Sequence, residues 1–342
     1  MTQTHTILLI YTGGTIGMQE NPETGALAPF NFEAIANEVP EVGKFNFSIE
    51  AESMLPLLDS SDATPEFWTR LAQRLLAQHH RYDGFVVLHG TDTMCYTAAA
   101  LSLMLPNFNK PIVLTGSQLP IGAIRTDGKE NLLGAIEVAA QRVLGNPVVP
   151  EVSIFFNHKL MRGNRTSKFG AARFDAFRSF NYPYLAEAGI HIWYNQPCIR
   201  IPKGNPQTLF CQFSSRVMSI RLFPGLALDY LQRVLEAPTL QGLVLETYGA
   251  GNGPSNERFS ALLKHFIDRG GIVLNVTQCP ADSVEMDTYD VGLKLKKIGV
   301  VSGRDLTFEC AIVKLMLALG EFNQRDQVIA FLQSAIAGEM NA

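Results

Sequence analysis

Four side chains in this 342-residue chain are of the types a covalent hydrolytic reaction uses: the hydroxyls of Thr15 and Thr91, the carboxylate of Asp92 and the amine of Lys168. A hydroxyl nucleophile needs a group to take its proton, and a lysine held neutral beside a threonine can do so if its pKa is depressed. A carboxylate nearby fixes the lysine in place but favours its charged form, so Asp92 both helps and opposes a basic Lys168. Composition leaves open which effect wins.

Each of the four follows a segment that reads as a strand. Residues 84–88, Gly-Phe-Val-Val-Leu, are apolar without alternation, as in a parallel strand covered on both faces. The character reverses after Leu88, and residues 94–105 read as a helix, which leaves Thr91 and Asp92 at a tight strand-to-helix turn. Ligands of open parallel sheets bind at such carboxyl ends, near unpaired helix N–H groups. Thr and Asp are also good helix caps, and that reading stands beside the functional one. The strand at 6–11 exits through Gly13-Gly14, which presents the Thr15 hydroxyl; Gly13, Gly14 and Gly17 miss the three-glycine dinucleotide spacing. Residues 19–30 are a polar loop, either a lid or plain surface.

A strand near 45–50 leads to Asp59-Ser60-Ser61-Asp62, which can hold an ammonium and a carboxylate together. The same residues can simply precede the helix that Thr64 and Pro65 open, whose apolar face is Trp68, Leu71, Leu75 and Leu76. A strand at 111–115 ends in Gly116-Ser117-Gln118, and Asp127 can cap a helix from 128 to about 144. After the strand at 152–156 comes the basic segment 162–168, either a solvated loop or the route by which Lys168 enters a cleft. His89 reads as a hydrogen-bonded structural residue, and His79-His80 as exposed.

Strands separated by helices specify an α/β fold. We expect a larger N-terminal domain, 1–195, with a mostly parallel sheet flanked by helices; an irregular linker, 196–216; and a smaller Rossmann-like C-terminal α/β domain, 217–342. With 46% hydrophobic and 18% charged residues and a net charge of −4, the chain is an ordinary globular one without a basic nucleic-acid surface. It has no run of about 20 apolar residues and no basic leader, so no membrane partner and a soluble, cytoplasmic protein are expected. Five cysteines without Cys-x-x-Cys spacing suit reduced thiols and imply neither a disulfide framework nor zinc.

Tyr-Thr-Gly-Gly-Thr-Ile-Gly (11–17) and His-Gly-Thr-Asp-Thr-Met (89–94) resemble the two signature segments of bacterial-type L-asparaginases. Asp59-Ser60-Ser61, Thr115-Gly116-Ser117-Gln118, the segment 162–165 with Lys168, and residues 248–252 resemble the same family in the same order, across essentially the whole chain. The Asp-Ser-Ser form and the lack of a leader resemble its cytoplasmic, type I branch. The resemblance implies hydrolysis of L-asparagine to L-aspartate and ammonia without metal or organic cofactor. It implies Thr15 as nucleophile; Thr91, Asp92 and Lys168 as the proton-moving group; and N–H groups near Gly14 and Thr91 as the oxyanion site. Asp59, Ser60 and Ser61 with Thr91 and Asp92 would bind the substrate, Asn252 would come from a neighbouring subunit, and a homodimer or homotetramer follows.

Two positions depart from the family. Alignment on Gly25 puts Ala26 where the lid carries a tyrosine. Glu246 stands where some type I members have an arginine that, with a Thr-Gln-Cys, binds effector asparagine; Thr277-Gln278-Cys279 is present here. A glutamate repels the carboxylate that a guanidinium would pair, so a degenerate effector site of Glu246, Thr277 and Cys279 and weak homotropic activation are expected. The rival readings are a mixed glutaminase-asparaginase, a subunit that supplies ammonia for tRNA-dependent amidation, and an amino-acid-binding sensor.

Overall fold

Apolar runs without alternation become the middle of a sheet. In the computed structural model, which describes residues 5–20, 27–29 and 39–341, all five residues of the strand Gly84–Leu88 are buried. The chain divides into two compact units, Met1–Leu209 and Phe210–Ala342.

The first unit is built on an eight-stranded sheet. Its strands are β1 (Thr6–Tyr11), β2 (Ser48–Ser53), β3 (Gly84–Leu88), β4 (Ile112–Thr115), β5 (Val152–Phe156), β6 (Lys159–Arg162), β7 (Ala186–Ala188) and β8 (Ile192–Tyr194), in the spatial order β8-β7-β6-β5-β4-β3-β1-β2. The five from β5 to β2 run parallel. The other three are antiparallel, so the sheet is mixed. Helix α1 (Pro65–Ala77) buries Phe67, Trp68, Leu71 and Leu75. Helix α2 (Met94–Met104) is buried nearly all round, and α3 (Gly128–Ala140) packs Leu132, Ala135 and Ile136 into the core with Leu9, Val86 and Val113. Burying one such side chain contributes about 1.5–3 kcal/mol, so the strand ends beneath these helices are held firmly.

The basic segment takes a route that the sequence reading missed. It does not follow parallel β5 directly. Asn157 and His158, both at positive φ, reverse the chain into β6, which pairs Arg162 with Ser153 at the amino end of β5. The turn Gly163–Arg165 then packs along α2, and Lys168 arrives at the opposite end. The geometry allows this: a three-residue 3-10 turn followed by three extended residues spans roughly 16 Å, about the length of an eleven-residue helix. The segment is also not a solvated loop, because Arg162 and Arg165 are buried. Three smaller differences accompany it. The helix expected to reach 144 stops at Ala140, and a hairpin turning at Leu144 and Gly145 follows. The strand expected at 45–50 occupies Ser48–Ser53. His79 is buried, with its ring against Phe108 and 2.9 Å from Asn109 Oδ1.

The second unit has a four-stranded, all-parallel sheet: β9 (Val217–Arg221), β10 (Gly242–Thr247), β11 (Ile272–Thr277) and β12 (Val301–Ser302), in that order. Helices α4 (Leu228–Leu235), α5 (Glu257–Asp268), α6 (Asp290–Lys297), α7 (Phe308–Glu321) and α8 (Arg325–Gln333) cover it, with Leu231, Leu243, Phe259 and Val273 in its core. The stretch 196–216 is shared between the units. Arg200 N donates to Glu151 and its guanidinium to Pro106 O in the first, whereas the N–H groups of Cys211 and Gln212 donate to Glu321 in the second.

Candidate active site

The turn that carries Thr15 is pressed between two backbones. Gly13 and Gly14 have φ of 123° and 92°. A Cβ on Gly13 would lie 2.1 Å from Leu58 O, and one on Gly14 would lie 2.5 Å from the Gly90 backbone. Only glycine fits both the conformation and the contacts. The segment preceding Thr15 therefore touches the chain before Asp59 on one side and the chain before Thr91 on the other. Thr15 opens a short 3-10 turn to Gly17, and Tyr11 supports it from below: its hydroxyl is fully buried and donates to Gly17 O at 3.0 Å. Burial pushes the Tyr11 phenol up to about 12, so it braces the turn and takes no proton near neutrality.

Ser60 and Thr93 close the second contact. The Thr93 hydroxyl donates to Ser60 O at 2.5 Å, and a Cβ on Gly90 would meet Ser60 Oγ at 2.6 Å. Asp59 caps the turn Ser60–Asp62, its Oδ1 accepting from Ser61 N and Oγ at 2.9 and 2.8 Å; those bonds, the backbone one first, hold its carboxyl below the ordinary range. Asp59, Ser60, Ser61, Thr15 and the Thr91 turn thus sit on adjoining loops at the carboxyl ends of β1, β2 and β3.

Lys168 completes the group. Its Nζ lies 2.9 Å from Thr91 Oγ1 and 2.7 Å from Asp92 Oδ1, with the lysine mostly buried and Asp92 largely exposed. Thr91 Oγ1 also lies 3.3 Å from Gln118 Oε1, at the exit of β4. Behind this cluster the segment carrying Lys168 is anchored by a buried ion pair, Arg162 Nε to Glu151 Oε2 at 2.6 Å, while the Tyr182 ring covers both Arg162 and Arg165. His89 takes no part in proton transfer here. Its Nδ1 lies 2.7 Å from Gly90 O and its Nε2 3.0 Å from Thr97 Oγ1, and burial pushes its pKa down to about 4.

The remaining candidates belong to the second unit. Asn252 exchanges backbone hydrogen bonds with Tyr248 at 2.8 and 2.9 Å in the loop after β10. Glu246, near the end of β10, lies 3.5 Å from Arg221; burial raises its pKa and Arg221 opposes that. The Thr277 hydroxyl donates to Gly249 O and accepts from Cys279 N. Gly25 and Ala26 lie outside the described residues. Among the described residues no group of three or more His, Cys, Asp or Glu is placed to hold a metal ion, and no helix is long and apolar enough to cross a membrane.

Sequence reasoning missed the structural roles of Tyr11, Glu151, Arg162 and Gln118. Tyr11, Arg162 and Gln118 each carried a signal, lying within the segments that resemble the family, whereas Glu151 carried none.

Comparison with known proteins follows the same layout. The family described as Asparaginase, N-terminal matches residues 6–200, and the Glutaminase/Asparaginase C-terminal domain matches residues 216–332. L-asparaginase 1 of Escherichia coli K12 is 39% identical over 341 residues, covering 99% of this chain and 98% of its own. The crystal structure of L-asparaginase I from Vibrio cholerae superposes with a TM-score of 0.89 at 38% identity, over 99% of this chain and 100% of the other. The thermostable L-asparaginase from Thermococcus kodakarensis gives 0.90 at 33% identity, over 98% of this chain and 99% of the other. With both halves matched and the full length aligned, this chain belongs to the asparaginase family.

Proposed function

We propose that this protein is an L-asparaginase, an amidohydrolase that converts L-asparagine to L-aspartate and ammonia with Thr15 as nucleophile. The observation that carries the reading is the Lys168 amine at hydrogen-bond distance from both Thr91 and Asp92, beside the loop that presents Thr15.

Thr15 Oγ1 attacks the side-chain amide carbon as its proton passes through Thr91 to a neutral Lys168, and the oxyanion that forms is held by backbone N–H groups near Gly14 and Thr91; one such donor is typically worth about 10²–10³ in rate. Collapse expels ammonia, the leaving nitrogen taking that proton from the Thr91–Lys168 pair, and leaves an aspartyl ester on Thr15. Water, giving its proton to the same pair, then attacks the ester, and the pair returns the proton to Thr15 Oγ1 as aspartate leaves. Asp92 holds the Lys168 amine in position and takes the substrate's α-ammonium, while Ser60, with Asp59 and Ser61, receives the α-carboxylate. Asn252 reaches this site from a neighbouring subunit of a homodimer or homotetramer. The protein works in the cytoplasm, without metal or organic cofactor.

The test is ammonia release from L-asparagine and L-glutamine by wild type, Thr15→Ala and Lys168→Ala. We expect turnover of asparagine that falls on the order of 10³-fold or more in both variants. Equal turnover of glutamine would make the enzyme a mixed amidase, since one methylene is worth only about 1–3 kcal/mol in a pocket. Amino-acid binding without ammonia release would overturn the enzymatic reading in favour of a sensor.

A further inference from the structure

Gln118 touches the proposed proton-moving group without belonging to it. Its side-chain orientation follows from chemistry alone: Nε2 lies 3.1 Å from Ala171 O and 3.0 Å from Arg173 O. Both partners are carbonyls that can only accept, so the NH₂ end must face them and the carbonyl end must face Thr91. The residue is fixed at its base as well. Asp127 accepts from the N–H of Gln118 at 3.0 and 3.1 Å and from that of Leu119 at 3.2 Å, and Asn131 ties Asp127 to Gly116 O.

The Thr91 hydroxyl has one proton and two neighbours able to engage it. A charged Lys168 only donates, so Thr91 Oγ1 accepts from Nζ at 2.9 Å and turns its own proton to Gln118 Oε1. The Thr91–Gln118 distance of 3.3 Å is long for a hydroxyl donor, and catalytic hydrogen bonds often tighten only once substrate is bound. A neutral Lys168 can accept, and rotation about the Thr91 Cβ–Oγ1 bond then moves the proton to it. The hydroxyl therefore has two stations, and Gln118 is one of them.

We infer that Gln118 is a positioning residue for the reaction, holding the Thr91 hydroxyl in register with Lys168 and tying it to residues 171–173, just beyond that lysine. This rests on the catalytic reading of Thr91 and Lys168 above. It places no contact between Gln118 and substrate, so its loss acts on turnover more than on binding.

Two variants test it beside Thr91→Val. Gln118→Met keeps the length and removes both polar ends; its kcat should fall about tenfold or more with KM unchanged. Gln118→Glu has an internal control in pH. As a carboxylate it faces the two carbonyls without a proton to donate; once protonated it donates to one of them and again offers a carbonyl to Thr91. Its rate relative to wild type should therefore rise as pH is lowered from about 8 to about 5, whereas the relative rate of Gln118→Met stays level. A Gln118→Met kcat within about twofold of wild type overturns the inference, as does a level ratio for Gln118→Glu. If Thr91→Val itself keeps wild-type activity, the reading of the site fails first, which separates the two failures.

Discussion

At the scale of single residues, the site is braced by buried groups beneath its turns, and His89 is one with a pH signature near neutrality. Trp68 Nε1 donates to Thr97 Oγ1 at 3.1 Å, the Thr97 hydroxyl donates to His89 Nε2, and His89 Nδ1 donates to Gly90 O, one residue before Thr91. The Thr97 link needs a neutral imidazole, because Nε2 must accept there, and burial pushes the His89 pKa down to about 4 against an ordinary 6.5. Between those values the unfolded chain binds a proton that the folded protein refuses, so stability is full above about pH 6.5 and is lost as pH falls towards about 4. Denaturant unfolding at pH 7 and pH 5 should differ by on the order of 2 kcal/mol from this residue alone. His89→Gln should lower stability at pH 7 and remove most of that difference. An unchanged pH slope in the variant would assign the acid sensitivity elsewhere.

At the scale of elements, the lysine is delivered by a strand that runs the wrong way. Because β6 ends beside Ser153, the chain needs an anchor there before it turns back along α2, and the Arg162–Glu151 pair is that anchor. Glu151 also accepts from Arg200 N at 2.8 Å, so its carboxylate holds two segments. Removing one member of a buried pair typically costs about 3–5 kcal/mol. Glu151→Gln should destabilise the first unit by about that much and reduce kcat, as Lys168 loses its fixed approach; wild-type stability and kcat together would remove the anchor from the account. This is also where the sequence was least legible. β1, β3, β4 and β5 are short apolar runs that read as buried strands, and the turns carrying Thr15 and Thr91 follow two of them. β7 and β8 are three-residue strands, Ala-Glu-Ala and Ile-Trp-Tyr, too short to carry a period. The α6 stretch has three lysines in its last turn and Gly292 within it, which masked its apolar face. Arg162 and Arg165 read as solvated because charge usually is, whereas the acid at Glu151 and the carbonyl of Cys198 pair Arg162 and the ring of Tyr182 covers both, which helps make their burial tolerable. Lys168 does lie beside Thr91, but by a route that the sequence did not show.

At the scale of the whole molecule, both units set polar loops at the carboxyl ends of parallel strands, and they differ in the charge placed there. The first unit gathers a lysine among hydroxyls and carboxylates at such an end. In the second, the corresponding position near the end of β10 holds Glu246, its side chain 13% exposed, with Arg221 3.5 Å away and largely in solvent. Gln278 Nε2 donates to Leu222 O and Glu246 O, which leaves that amide occupied in bracing the strands. An effector bound through its α-carboxylate would bring a second anion to a half-buried carboxyl, and Arg221, already paired, offers little free positive charge to offset the repulsion. Positive cooperativity requires the ligand to distinguish two states at a second site, and this site lacks the group that would hold the ligand in either. Initial rates against asparagine concentration should therefore follow a hyperbola with a Hill coefficient of about 1. Glu246→Gln separates the two causes by removing the anion while keeping the shape: a curve that stays hyperbolic, the expected result, puts the cause in the missing guanidinium, and one that turns sigmoidal puts it in the repulsion. A sigmoidal curve in the wild type would mean that the second unit takes up asparagine through Arg221 or another group, and that the charge at position 246 does not decide the regulation.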